Sequence, residues 1–332
     1  MSIHTVTAYS IHLEKRFGRH AGRRQVLAPM PDGQDLLHLA ATFIESLRGT
    51  LHRGEEDRYY GGVTRLAGRG RTIETQMVAG RGGVRSQIRL PGRDDEAESF
   101  SRTQDHIEEV AVRQLVVLPR DSLTGYWFFE LAGHHTVARP YRRHFERWFE
   151  HRSSAQSLRV VFERVMTAEA WEQIENDPAA RVEQVRIVHA RAANDRSEEV
   201  GLGGVKGPYV EMWGDSKEPS GPSVLTQLRE RILGRADDGR LVPAQDDVTE
   251  VTAVVRVAGR RRQVTVSRAR LPGMRMVLDD RGSGPPPDDE FFGTARQWAM
   301  DLAERDDVPL PADWASGDWN PADVRTEDGA LF

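Results

Sequence analysis

The residues of this chain predict an α+β protein of mixed, mainly antiparallel sheets with flanking helices, divided into two subdomains. Three observations carry that expectation. Val251, Ala253, Val255 and Val257 recur at every second position, with Thr252 and Arg256 between them, up to Gly259-Arg260, and Val264 and Val266 resume the alternation, the period-2 pattern of a hairpin with one buried face. Short β-rich stretches between Tyr59 and Leu90 are punctuated by Gly68-Arg69-Gly70 and Gly80-Arg81-Gly82-Gly83, which suits an antiparallel meander. Helical periodicity occurs in isolated segments, without the regular strand–helix alternation of a parallel sheet.

Taken along the chain, Ile3 to Leu13 carries Ile3, Val6, Tyr9, Ile11 and Leu13 and predicts a first strand. A basic loop follows, with Lys15, Arg16, Arg19, His20, Arg23 and Arg24 beside Gly18 and Gly22. Asp32-Gly33 then opens a helix whose apolar face is Leu36, Leu37, Ala40, Phe43, Ile44 and Leu47. The meander follows as Tyr59 to Leu66, Thr72 to Val78 and Val84 to Leu90. A polar connector, Pro91 to Glu96, leads to a short helix ending near Val110, a buried strand Gln114 to Leu118 and an aromatic strand Gly125 to Ala132. Pro140 suits the first turn of a helix, where its missing N–H costs nothing, and Tyr141, Phe145, Trp148 and Phe149 form that helix's apolar face.

Residues 153–157 are polar and small and predict a linker between a basic domain, 1–152, and a second α+β domain, 158–305. The second domain reads as a strand Leu158 to Val165, a helix Ala168 to Glu175, a strand Val182 to Ala190, a loop Ala193 to Pro208, a short strand Tyr209 to Trp213, a helix Ser223 to Leu233 and the hairpin described above. After Pro285-Pro286-Pro287 a last helix buries Phe291, Phe292, Ala295, Trp298, Ala299 and Leu302. Residues 306–332 read as a flexible acidic tail with Trp314 and Trp319 as its large apolar residues.

Composition removes several function classes. With no cysteine among 332 residues, disulfide scaffolds, cysteine-ligated zinc, iron–sulfur clusters and thiol nucleophiles are excluded. Apolar runs such as Val116-Val117-Leu118 fall far short of the roughly 20 residues that span a bilayer. Met1 to Thr5 lacks the basic and apolar regions of an export signal, so a cytoplasmic protein with no membrane insertion is expected. The net charge of −5 hides an asymmetry: residues 1–93 hold 15 Lys and Arg against 8 Asp and Glu, a net +7, whereas residues 276–332 hold 4 against 14, a net −10. Such a split points to a polyanion at one end and a solvating or partner-binding segment at the other.

Gly201-Leu202-Gly203-Gly204-Val205-Lys206-Gly207 resembles a phosphate cradle, but Lys206 is followed by Gly207-Pro208 and not by the Ser or Thr that opens a P-loop helix. His134-His135 point to opposite faces if on a strand and make no metal site by themselves. Glu163, Glu169, Glu172 and Glu183 match no metal-ligand spacing, and no Gly-x-Ser-x-Gly is present. No catalytic residue, metal or cofactor is therefore expected. Arginine clusters remain: Arg16, Arg19, Arg23 and Arg24; Arg69, Arg71, Arg81, Arg85 and Arg89; Arg142, Arg143 and Arg147; and Arg260, Arg261 and Arg262 at the hairpin tip. Guanidinium forks beside glycine turns suit phosphate oxygens, and a ribbon with an arginine tip suits a groove of DNA.

The order Val6-Thr7-Ala8-Tyr9-Ser10, a helix, Tyr59-Tyr60-Gly61-Gly62, Gln114-Leu115-Val116-Val117-Leu118, Gly125-Tyr126-Trp127-Phe128-Phe129, a helix, Leu158-Arg159-Val160-Val161-Phe162-Glu163 and Val185-Arg186-Ile187-Val188-His189 resembles the RexA-like phage exclusion proteins. It is more distantly similar to the DNA-binding subunits of Kiwa anti-phage systems, and the likeness covers about residues 3 to 304. The resemblance implies a non-enzymatic homodimer in anti-phage defence that binds DNA largely without regard to sequence, with a second defence-system protein as a partner. It carries over no individual contact residue. Two other readings stand beside it: an interaction or sensor module that docks a partner through Trp314, Trp319 and the acidic tail, and a metal-dependent nuclease using Glu163, Glu169 or Glu183. If the tail competes for the basic surface, deleting residues 306–332 tightens DNA binding at low salt, as a titration by mobility shift would show; unchanged affinity removes that role.

Overall fold

The structure, a computed structural model, describes residues 4–19, 21–54, 58–82, 86–88, 100–133, 135–152, 157–165, 180–189, 209–214, 233–235, 241–243, 248–257, 260–267, 273–279 and 284–318. It is α+β, with antiparallel sheets and, among the described residues, three helices. Two compact units divide the chain: Met1–Glu163 with Leu278–Phe332, and Arg164–Val277. The boundary expected at 153–157 thus lies a few residues early. The first unit is discontinuous, because the chain returns to it for the last helix and the segment beyond that helix.

The strands of unit 1 are β1 (His4–Lys15), β2 (Arg24–Gln25), β3 (Leu51–Arg53), β4 (Arg58–Arg69), β5 (Thr72–Arg81), β6 (Ser86–Ile88), β7 (Phe100–Arg102), β8 (Glu108–Val117), β9 (Gly125–Ala132) and β10 (Leu158–Arg164). They form a sheet in the order β3-β4-β5-β8-β9-β1, with β2 and β10 also paired to β1, and β6 and β7 make a separate ribbon. The meander is present in β4 and β5; of the expected third strand, Ser86–Ile88 is extended and the other residues lie outside the described ones. Among the described residues the helix expected to end near Val110 is absent, and β7 and the start of β8 lie in that stretch. Val110 and Val112 follow the period of 2 into β8, which local helix propensity did not overcome.

Helix α1 (Leu36–Ser46) is capped by Asp35, whose carboxylate accepts from the Leu37 N–H at 2.8 Å. Helix α2 (Ala138–Arg152) starts two residues before Pro140, with the Thr136 hydroxyl accepting from the Ala138 N–H. Both helices pack together on one face of the sheet, Phe43 meeting Tyr141 and Phe145 at about 5 Å between ring centroids. Helix α3 (Asp288–Arg305) packs against β8 and β9. Strand β9 serves both layers. Trp127 and Phe129 face α2, with Trp127 5.3 Å from Phe145, while Phe128 lies 5.7 Å from Trp298 of α3 and the Tyr126 hydroxyl donates to the Leu302 carbonyl at 3.1 Å. Because both faces are covered, the strand reads as an unbroken aromatic run rather than an alternation.

The α3 face also carries a buried ion pair. Arg113 of β8 forks onto Glu130 of β9 at 2.7 and 2.8 Å, and the same guanidinium donates to the Pro286 carbonyl at 2.6 Å and to Asp288 at the start of α3. His4 contacts Glu130 from β1 at 2.8 Å. Asp288, Asp289 and Glu290 in the first turn of α3 and Arg305 in its last complement the helix dipole.

The segment after α3 is packed, contrary to the expectation of a flexible tail from residue 306. Asp306 accepts from Tyr126 at 2.9 Å, and the N–H groups of Gly70 and Arg71 donate to the carbonyls of Gly317 and Trp314 at 2.6 and 2.7 Å. Gly70 has a φ of +54°, and a Cβ there would press into the Asp313 and Trp314 carbonyls, so this turn needs glycine. Trp314 is buried in its own chain; Trp319 and the rest of the tail lie outside the described residues.

Unit 2 contains β11 (Arg181–His189), β12 (Tyr209–Gly214), β13 (Leu233–Arg235), β14 (Leu241–Pro243), β15 (Val248–Val257), β16 (Arg260–Ser267) and β17 (Gly273–Asp279). The antiparallel order is β12-β11-β15-β16-β17, with β13 and β14 as a second ribbon. Its expected hairpin is β15/β16, with Val251 opposite Val266 and Ala253 opposite Val264. The helices expected over Ala168–Glu175 and Ser223–Leu233 fall outside the described residues, apart from Leu233, which begins β13.

Replacing Glu130 by Ala leaves the Arg113 charge buried without its main partner and lowers unfolding free energy by about 3–5 kcal/mol in chemical denaturation. The more exposed Asp288→Ala costs less than about 1 kcal/mol, and pairing Glu130→Ala with Arg113→Met restores much of the loss.

Candidate anion-binding site

One basic pocket in unit 1 is built from two elements. The β3/β4 hairpin is closed by the Gly54 N–H donating to the Arg58 carbonyl at 2.7 Å, with Arg53 opposite Tyr59 and His52 opposite Tyr60. Along α2, Arg139, Arg143 and Arg147 repeat every fourth residue and so lie in one row. A Cβ on Gly54 would stand 3.0 Å from the Pro140 Cβ, and this close approach sets the hairpin against the first turn of α2. Arg53, Gly54, Arg58, Tyr60, Arg139, Pro140, Arg143 and Arg147 line a pocket of about 80 Å3. Five of the eight are arginines, and no carboxylate is among them. Glu55, Glu56 and Asp57 lie outside the described residues.

Behind this lining is a neutral aromatic group. The Tyr60 hydroxyl is 3.1 Å from Nδ1 of His144, and the His52 ring stacks on Tyr60 and meets His144 edge-on at 5.0 Å. Burial, aided by His52 and Arg147, holds the His144 imidazole down to about 4. Burial also lowers His52 and raises Tyr60, against the pull of Arg147 on the latter. Burial raises the Glu146 carboxyl of α2 despite Arg142 and Arg143. Near neutral pH the groups behind the lining are uncharged, and what the lining can offer a ligand is guanidinium N–H groups, which suit anionic oxygens.

Of the sequence-predicted contacts, the pocket gathers Arg143 and its neighbour Arg147. Arg142, one position off the row, turns away: its guanidinium lies 3.8 Å over the Tyr9 ring and its Nε donates to the Ala138 carbonyl at 3.0 Å. Arg71 is likewise part of the framework, forking onto Asp35 at 2.7 and 2.9 Å and donating to the Leu118 carbonyl. Its side chain, 12% exposed, is thus engaged by Asp35 within the unit. Arg16, Arg19, Arg23 and Arg24 lie on the β1–β2 connection; Arg16 pairs with Glu150 and Arg24 with Glu163, at 3.3 and 3.4 Å. Arg69 and Arg81 are exposed at strand ends, whereas Arg85 and Arg89 lie outside the described residues. Arg261 is bound to Glu183 at 2.5 Å beside Arg256, so it is tied within its sheet; Arg262 is half-buried, Arg260 begins β16, and the side chain of Arg260 lies outside the described residues.

Arg53, Arg58 and Arg139 were missed by clustering arginines along the sequence. The row 139, 143, 147 was a usable signal; the hairpin's approach to it was not. Of the nuclease carboxylates, Glu163 pairs with Arg24 and Glu183 with Arg256 and Arg261, and Glu169 and Glu172 lie outside the described residues. Among the described residues no group of three or more His, Asp and Glu is placed to hold a metal ion.

Because the folded His144 value lies below the ordinary 6.5, the unfolded chain takes up protons first. Stability is full above about 6.5 and falls as pH drops toward 4, with His52 and His12 acting in the same direction. In thermal melts His144→Phe flattens the decline between pH 7 and 5; a curve parallel to the parent protein's removes His144 as a cause. No protein-family model matches this chain, and no curated protein matches it either.

Proposed function

We propose that this protein is a non-enzymatic binder of duplex DNA, largely indifferent to sequence, acting in anti-phage defence. The observation that supports it is the convergence of Arg53, Arg58, Arg139, Arg143 and Arg147 on one pocket. Guanidinium forks take phosphate oxygens and carry no base preference of their own, which suits contacts that position a duplex rather than read it. The basic β1–β2 connection, with exposed Arg19 and Arg23, adds a second cationic surface in the same unit. The defence role rests on the resemblance to RexA-like exclusion proteins.

A mobility shift with random duplex, single-stranded DNA and RNA across a salt series tests this reading. Retardation of duplex without nicking in the presence of magnesium is expected, with affinity falling steeply as salt rises. Each of Arg58→Gln, Arg143→Gln and Arg147→Gln weakens binding across all sequences and reduces the log–log salt slope by about 1. No retardation, or a salt slope near zero, overturns the reading, and nicking revives the nuclease.

A further inference from the structure

We infer that the β1–β2 connection is a stacking platform for one unpaired nucleobase, with Phe17 taking the base and Arg19 and Arg23 the phosphates beside it. This rests on reading the protein as a DNA binder and adds a feature that a plain duplex does not offer. Three observations carry it: a fixed, exposed ring; a cation over one face of that ring; and a loop with no acid of its own.

The loop is built rather than slack. Strands β1 and β2 are in register at Leu13 with Gln25 and Glu14 with Arg24. Beyond them the Lys15 N–H donates to the Arg23 carbonyl at 3.1 Å and the Gly22 N–H to the Lys15 carbonyl at 2.8 Å, and a turn closes the tip where the Ala21 N–H meets the Gly18 carbonyl at 3.1 Å. Gly18 and Gly22 have φ of +88° and +79°, which glycine adopts without strain, and a Cβ on either would meet nothing within 4 Å. Both glycines thus border open space, and Phe17 beside them is 62% exposed.

Arg16 decides what the ring can take. Its guanidinium lies over the Phe17 ring, 5.1 Å from the centroid, and pairs with Glu150 of α2 at 3.3 Å, which holds it there. One face of the ring is thereby occupied by a cation, and the exposure of the residue leaves the other for a ligand. A wedge driven between two stacked base pairs uses both faces of its side chain. A platform with one open face suits a single unpaired base, and accepts any of them, because every base has a π-face.

Charge supplies the rest. From Lys15 to Pro31 the chain holds Lys15, Arg16, Arg19, Arg23 and Arg24 and no acidic residue. The carboxylates that come near belong to other elements and are engaged: Glu150 meets Arg16, Glu163 meets Arg24, and Glu14 turns to His12 and Arg159. Arg19 and Arg23 are exposed on the two limbs of the loop. A base lying on Phe17 has a phosphate on each side of it along its strand, and exposed guanidiniums fork onto phosphate oxygens. Anionic lipid headgroups suit the same cations, but binding to a bilayer scales with buried apolar area, of which one ring backed by a guanidinium offers little.

Fluorescence anisotropy on the full chain decides the matter, comparing a blunt duplex with the same duplex carrying a short single-stranded thymidine overhang. The overhang form is expected to bind about five- to a hundredfold more tightly, the factor that one base stacked on an aromatic ring supplies. Phe17→Ala removes that advantage and leaves blunt-duplex affinity unchanged, whereas Phe17→Trp keeps it; melting temperatures verify that the variants fold. A 2-aminopurine placed in the overhang is quenched by the parent protein and not by Phe17→Ala. Arg19→Gln and Arg23→Gln each reduce the log–log salt slope for the overhang form by about 1. Equal affinity for the two forms, or a Phe17→Ala loss of the same size on both, overturns the inference while the retained blunt duplex leaves the DNA-binding reading standing. Phe17-dependent binding of oligothymidine with no retention of blunt duplex upholds the inference and defeats the duplex reading. Binding of no nucleic acid, with or without capture by phosphatidylserine–phosphatidylcholine vesicles, overturns both.

Discussion

Strand β9 has no face to give to water, and the architecture of unit 1 follows from that constraint. Tyr126 to Glu130 are all buried, so the sheet must be covered on both sides. Helices α1 and α2 supply one cover and α3 the other. The one acidic residue in the run, Glu130, is tolerated because Arg113 forks onto it and His4 contacts it from the neighbouring strand. Arg113 in turn reaches Pro286 and Asp288, so the placement of the C-terminal helix is coupled to the satisfaction of a charge inside the sheet.

Arginine has separate employments in this chain. Arg113 and Arg71 close buried or half-buried ion pairs, and Arg142 lies over an aromatic ring in the core. Arg53, Arg58, Arg139, Arg143 and Arg147 meet at a concave surface. Arg142 and Arg143 are neighbours in sequence with opposite destinations, because successive positions on a helix differ by about 100°. Proximity along the chain therefore predicts a shared role poorly, and a row at every fourth residue predicts it better.

Much of the fold was legible where a single physical signal dominated. The alternation of Val251 to Val266 foretold β15 and β16, and the apolar faces of Leu36 to Leu47 and Phe291 to Leu302 foretold α1 and α3. Strand β17 was not foreseen, since its buried positions are Met274 and Met276, which have no strong strand preference. The pocket was half legible, as the α2 row, because the other half depends on where a hairpin some 80 residues earlier comes to rest against it. The charge asymmetry also changes meaning: the basic front and the acidic end belong to one compact unit, where Asp288 meets Arg113 and Arg65 and Asp306 meets Tyr126.

The discontinuity of unit 1 has a consequence for how the protein is made. During synthesis the β9 layer emerges well before α3, with the whole of 164–277 translated between them. Until α3 arrives, Tyr126, Phe128 and the Arg113–Glu130 pair lack their outer cover, so the nascent chain carries an open apolar face while 164–277 is being made. Unit 1 is completed only when α3 joins it, after the whole of 164–277 has been made, so that helix acts as a latch on a layer laid down long before it.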